Sequence, residues 1–127
     1  MPIERIDHLV LTCRDVAATI DFYARALGAE AVTFAGGRRA IALGRSKINL
    51  HQAGAEYVPH ARTPLPGSGD FCLIWDGDLG EVAARLAAAG ITVEQGPVAK
   101  TGALGPITSL YFRDPDGNLV EVSTYDP

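Results

Sequence analysis

The chain has 127 residues, 47% hydrophobic and 20% charged, which is enough apolar material for one core and too much for a disordered chain. A net charge of −4 and a pI near 5.2 exclude a broadly basic surface, and with it nucleic acid as the main partner. No apolar run approaches the roughly 20 residues of a membrane span, so no membrane partner is expected.

The N-terminus, MPIERIDHLV, carries acid and base where a secretory signal needs an apolar stretch, so the expected location is cytoplasmic. Cys13 and Cys72 form neither a disulfide framework nor a metal spacing. Both are expected to be reduced, buried thiols.

Taken in order, Ile6 to Thr12 reads as a strand, with Leu9 and Leu11 on one face and His8, Val10 and Thr12 on the other. A helix follows, capped by Asp15, with Val16, Ile20, Tyr23 and Leu27 as its apolar stripe and Gly28 as its stop. Glu30 to Phe34, Arg38 to Leu43 and Lys47 to Gln52 then read as a three-stranded meander. Three prolines and two glycines make the next stretch, through Ser68, a linker.

The order repeats after it. Asp70 to Trp75 is a strand, and Asp78 with Glu81 gives a capping-box helix start. Leu79, Val82, Ala83 and Leu86 form that helix's stripe, and Gly90 ends it. Ile91 to Glu94 reads as a strand, and Gly96 to Pro106 as a long loop, either a hinged lid or an inert connection. Ile107 to Phe112 and Leu119 to Val122 close the chain as a hairpin around Arg113-Asp114-Pro115-Asp116-Gly117-Asn118.

The chain is thus a single α+β domain, residues 1–127, built from two tandem βαβββ modules. Module one spans 1–54, the linker 55–68 and module two 69–127. Superposing the modules sets His8 on Asp70 and His51 on Glu121. All four lie in apolar strands, on faces turned from the helices. Two such sheets facing each other would enclose His8, His51, Asp70 and Glu121, a shell suited to a divalent transition metal. His60, in the linker, is expected to face solvent. Phe22, Tyr23 and Phe112 are expected in the core.

IDHLVLTCRDVAATIDFYARALGAE and YFRDPDGNLVEV resemble the opening and closing segments of the vicinal oxygen chelate superfamily, also called the glyoxalase/bleomycin-resistance/dioxygenase fold. KINLHQAG, PGSGDFCLI and the C-terminal third resemble the glyoxalase-domain-containing protein 5 group within it. The resemblance implies paired modules whose mixed sheets form a cup around a metal. It places His8 at the first-strand His and Glu121 at the last-strand Glu. His51 stands where Glu or Gln is usual, and Asp70, a shorter side chain, where many members have His.

The implied activity is a lyase or isomerase of the lactoylglutathione-lyase kind. Ni, Co, Mn, Fe or Zn would polarise neighbouring substrate oxygens while Glu121 moves the proton. Two alternatives share the fold: a non-haem Fe(II) extradiol-type dioxygenase using two His and one carboxylate, and a non-catalytic small-molecule- or drug-binding protein of the bleomycin-resistance kind. Arg113 and Lys100 are candidate contacts to an anionic substrate. A homodimer is expected, with sites that can draw ligands from both chains.

Overall fold

The computed structural model describes residues 2–125. Module one runs β1 (His8–Cys13), α1 (Val16–Leu27), β2 (Ala31–Phe34), β3 (Arg38–Leu43) and β4 (Ser46–Gln52). Module two runs β5 (Asp70–Ile74), α2 (Leu79–Ala88), β6 (Gln95–Gly102), β7 (Gly105–Arg113) and β8 (Leu119–Tyr125). Each module is α+β, with a four-stranded mixed sheet ordered β1-β4-β3-β2 or β5-β8-β7-β6. The inner pair is parallel in both, β1 with β4 and β5 with β8. A parallel pair needs a long crossover, and α1 and α2 begin those crossovers.

The helix ends follow the local chemistry. Asp15 accepts the Ala18 N–H, and Gly28 takes a left-handed φ of 69° at the C-terminus. A Cβ on Gly28 would also come within 2.9 Å of the Arg85 guanidinium. At α2 the Asp78–Glu81 capping box forms in both directions.

The α2 stripe is as expected, with Leu79, Val82 and Leu86 buried. On α1 the buried face is shifted. Thr19, Phe22, Tyr23 and Ala26 are buried, while Val16, Ile20 and Leu27 flank them. The cause is that α1 packs on α2 as well as on its own sheet.

One core serves both modules. Leu11, Ile41, Ile48 and Leu50 of the first sheet join Leu110, Phe112, Val120 and Val122 of the second, around Phe22, Tyr23, Val82 and Leu86. Because neighbours on a strand face opposite ways, His8, Val10, Asn49 and His51 lie on the other face of the first sheet. Asp70, Cys72, Ser109, Glu121 and Ser123 lie on the other face of the second.

Two expectations are corrected. Residues 91–94 form no strand, and the expected loop 96–106 is largely strand β6, its turn and the start of β7. Gly96, Pro97 and Gly102 read as breakers, but β6 is an edge strand, where a missing N–H costs no ladder bond. A register shift between Gln95 and Val98 accommodates the irregular entry. Paired along β7, this segment is no hinged lid. The second correction concerns Cys72, which is exposed, whereas Cys13 is buried. Strand alternation buries Phe71 and Leu73 and leaves Cys72 on the polar face. Desolvation pushes the Cys13 thiol up to about 11, which makes it inert.

The closing turn ties the modules together. Buried Asp114 accepts the Tyr23 hydroxyl at 2.8 Å and the Asn118 side-chain amide at 2.8 Å. It also accepts the backbone N–H groups of Asp116 and Asn118, both at 3.0 Å. The Asp116 carboxylate takes the Arg14 N–H, and the Asn118 side-chain oxygen takes the Gly69 N–H. A Cβ on Gly69 would lie 2.7 Å from the Leu11 side chain and 2.8 Å from that of Asn118, so any larger residue would push on both buried ends. The Arg113–Asn118 motif is therefore a structural tie between modules.

Candidate functional site

Three of the four expected ligands line one cavity. His8, His51 and Asp70 bound a space of about 400 Å³, with Val10, Thr12, Arg38 and Asn49 on the strands and residues 59–65 of the linker over it. Glu121 is not in that lining. Among the described residues, no group of three or more His, Cys, Asp or Glu side chains comes together closely enough to hold a metal ion.

His8 is exposed, and its Nδ1 pairs with the Asp7 carboxylate at 2.8 Å. That contact fixes the ring and leaves Nε2 open. His51 is only 3% exposed, and neither of its ring nitrogens has a hydrogen-bond partner among the described residues. The Tyr57 ring lies edge-on, 5.5 Å away between centroids. Burial, then the charge of Arg38, holds the imidazole below its ordinary value of 6.5.

Unfolded chain therefore binds more protons here than folded chain as the pH falls below 6.5. The His51 contribution to stability is full above that value. It is lost progressively down to the lowered folded value. Urea midpoints of metal-free protein between about pH 8 and pH 5 should show this loss, and His51→Asn should remove it. A wild-type midpoint flat across that range would refute it.

The strand ladders revise the superposition of modules. His8 pairs with Lys47 and Asp70 with Leu119, so Asn49 is the counterpart of Glu121, and His51 that of Ser123. Asn49 is buried, and its Oδ1 is also without a partner among the described residues. Alternation along Lys47-Ile48-Asn49-Leu50-His51 sets Asn49 beside His51, but an amide in a strand draws less notice than an imidazole. Thus the cavity holds two neighbouring buried polar side chains with unused capacity, a costly arrangement unless something else satisfies it.

On the second sheet, Glu121 is half-buried and held from one side. Its Oε2 accepts the Ser109 hydroxyl at 2.6 Å and the Ser123 hydroxyl at 3.3 Å. Ser123 also meets the Cys72 sulfur at 3.2 Å. The Tyr111 phenol is pushed up, first by burial and then by the Glu121 carboxylate, so it stays protonated.

Arg113 and Lys100 lie outside the His51 cavity. The Arg113 guanidinium clamps Glu94 at 3.0 and 3.1 Å, and Lys100 lies 5.6 Å from the Tyr111 ring centre. His60 is exposed yet lines the cavity. Arg38 went unnoticed in the sequence, although Phe34 and Arg38 flank the Ala35-Gly36-Gly37 turn and pair across it.

These features have close relatives. Residues 5–122 match the profile of the Glyoxalase/Bleomycin resistance protein/Dioxygenase superfamily. The chain is 51% identical over 125 residues to "Virulence protein STM3117" of Salmonella typhimurium, covering 98% of this chain and 87% of that protein. The crystal structure of that protein superposes with a TM-score of 0.96, covering 99% of this chain and all of the other. "Glyoxalase domain-containing protein RDO1" of Mycosarcoma maydis is 49% identical over 98% of this chain and 70% of its own length. A lactoylglutathione lyase from Agrobacterium tumefaciens is 30% identical, with a TM-score of 0.73 over 97% of this chain and 95% of that one. No helix among the described residues is long and apolar enough to cross a membrane. The chain belongs to the Glyoxalase/Bleomycin resistance protein/Dioxygenase superfamily.

Proposed function

We propose that the protein is a homodimeric, divalent-metal-dependent lyase or isomerase acting on a small molecule with neighbouring oxygens. The observation that carries this reading is buried His51, held neutral with both ring nitrogens unpartnered among the described residues. A neutral imidazole is the form that binds a metal. The donor set suits a borderline transition ion: His8 through Nε2, His51, Asp70 and Glu121, with Asn49 as a neutral oxygen donor. Among the described residues of one chain these side chains form no metal-holding cluster, so a second copy would complete the set. Exposed Val10 and Ile74, on the same polar faces, support such a contact.

A bound divalent ion would supply Lewis acidity toward the substrate oxygens. Glu121 would take and return the proton. Ser109 and Ser123 fix its Oε2, which leaves the rest of the carboxylate to do so. Tyr111 stays protonated and steadies that charge. Likeness to the lactoylglutathione lyase favours this version, and the glyoxalase-domain-containing protein 5 group is the subgroup we assign. The second reading is metal-free small-molecule binding, for which the cavity of about 400 Å³ would itself suffice.

Elemental analysis of protein purified without chelator tests the choice. About one ion per chain in the wild type and loss in His8→Ala are expected. Sedimentation should give twice the 13.4 kDa chain mass. Equal metal content in wild type and His8→Ala would favour the binding protein instead.

A further inference from the structure

The wall of the His51 cavity holds a cation with no counterion among the described residues. Arg5, Arg14, Arg25, Arg45 and Arg113 each have a carboxylate within 4.0 Å. Arg38 has none among the described residues. Its guanidinium carbon instead lies 4.3 Å from the Tyr57 ring centre and 5.5 Å from that of Phe34. Two rings restrain the side chain without using its five N–H donors. Tyr57 comes from the linker and Phe34 from β2, so the fold assembles this holder from separate segments.

The neighbouring groups narrow the ligand. Asn49 Oδ1 and the His51 ring nitrogens are buried and unpartnered among the described residues, and both residues line the same cavity as Arg38. His60 lines it too, with Nδ1 engaged by the Ala61 carbonyl at 2.8 Å. Glu56, the carboxylate felt by His51, already accepts the Gly54 N–H at 2.7 Å. Asp70 lines the cavity as well and brings a carboxylate to it from the second sheet. One restrained guanidinium, set against a single lining carboxylate, suits a monoanion better than a more highly charged ligand, and a carboxylate matches its fork. A phosphate dianion would need more positive charge, and Asp70 would oppose it.

We infer that this cavity takes a small carboxylate-bearing molecule, its carboxylate on Arg38 and its remaining polar groups turned toward the His51 and Asn49 wall, where the proposed ion would sit. The inference rests on the reading of this cavity as the substrate side of the proposed site, and names the substrate's class.

The test uses chelator-treated full-length protein, so that it is independent of metal. Benzoate is titrated, followed by calorimetry and by the His51 ring resonances, with benzamide as the neutral analogue and inorganic phosphate as the dianion. Benzoate should saturate and shift the His51 signals, and benzamide should not. Arg38→Gln should weaken benzoate about tenfold or more, and Arg38→Lys less. Lys47→Gln should change nothing. Lys47 also lies over Phe34, at 3.4 Å, but outside the cavity. Arg38 is only half-buried, so its variants should keep the fold.

Unsaturable benzoate, equal binding of benzamide, tighter binding of phosphate, or benzoate binding untouched by Arg38→Gln would each overturn the inference. Metal retention without benzoate binding would remove this inference alone. Benzoate binding without metal retention would remove only the metal-dependent activity.

Discussion

Asp114→Ala should cost about 3 kcal/mol or more of stability, the largest loss expected from any single polar side chain in the protein. Asp114 is only 5% exposed and accepts four donors at once. Truncation would leave the Tyr23 hydroxyl, the Asn118 amide and two backbone N–H groups without their acceptor in a dry setting. Water cannot restore these bonds cheaply, because Tyr23 is 1% and Asn118 also 1% exposed.

The loss should also loosen the joint between modules, since Tyr23 belongs to α1 of module one and Asp114 to module two. Tyr23→Phe removes one donor and leaves the other three bonds, so it should cost only about 1–2 kcal/mol. Urea midpoints with unchanged m-values measure both. An Asp114→Ala loss below about 1 kcal/mol would show that the turn closes without its carboxylate.

Glu121→Gln should abolish metal retention while leaving the fold intact. The amide keeps an oxygen that can accept the Ser109 hydroxyl, so the short 2.6 Å contact survives in weaker form. What disappears is the anionic donor, and with it the group proposed to carry the proton. Ser109→Ala should act more mildly, lowering metal affinity by roughly 10–100-fold, because it only frees the carboxylate to turn. Melting curves should place Glu121→Gln within about 1 kcal/mol of wild type. Full metal content in Glu121→Gln would remove Glu121 from the proposed ligand set.

The repeated βαβββ order was legible because each module carries its own punctuation: Asp15 and Gly28 around one helix, Asp78 and Glu81 at the start of the other. The core residues of both sheets followed from strict alternation, as in Leu9 and Leu11 or Val120 and Val122. β6 was not legible. Its Gly96, Pro97 and Gly102 carry turn chemistry, and only its place at the sheet edge, a property of the whole sheet, makes them tolerable. The α1 face was misjudged for a related reason: helix periodicity shows one stripe, whereas α2 covers a second flank.

At the site, His8, His51, Asp70 and Glu121 stood out as polar residues in apolar strands. Their mutual register did not, since superposing sequences cannot count along a ladder, and the ladders exchange His51 for Asn49 as the counterpart of Glu121. Arg38 was hidden because its partners, Phe34 and Tyr57, are aromatic and one lies in the linker.

The account turns on imidazoles from one chain meeting Glu121 of another. Mixing His8→Ala/His51→Ala protein with Glu121→Gln protein, exchanging subunits and measuring bound metal tests it directly. Each variant alone should hold no ion. Each mixed dimer contains one site with every donor present, and random exchange makes half of the dimers mixed, so the mixture should regain metal at about a quarter of the wild-type content per chain. Wild type that loads metal while the mixture stays empty would place the whole site within a single chain.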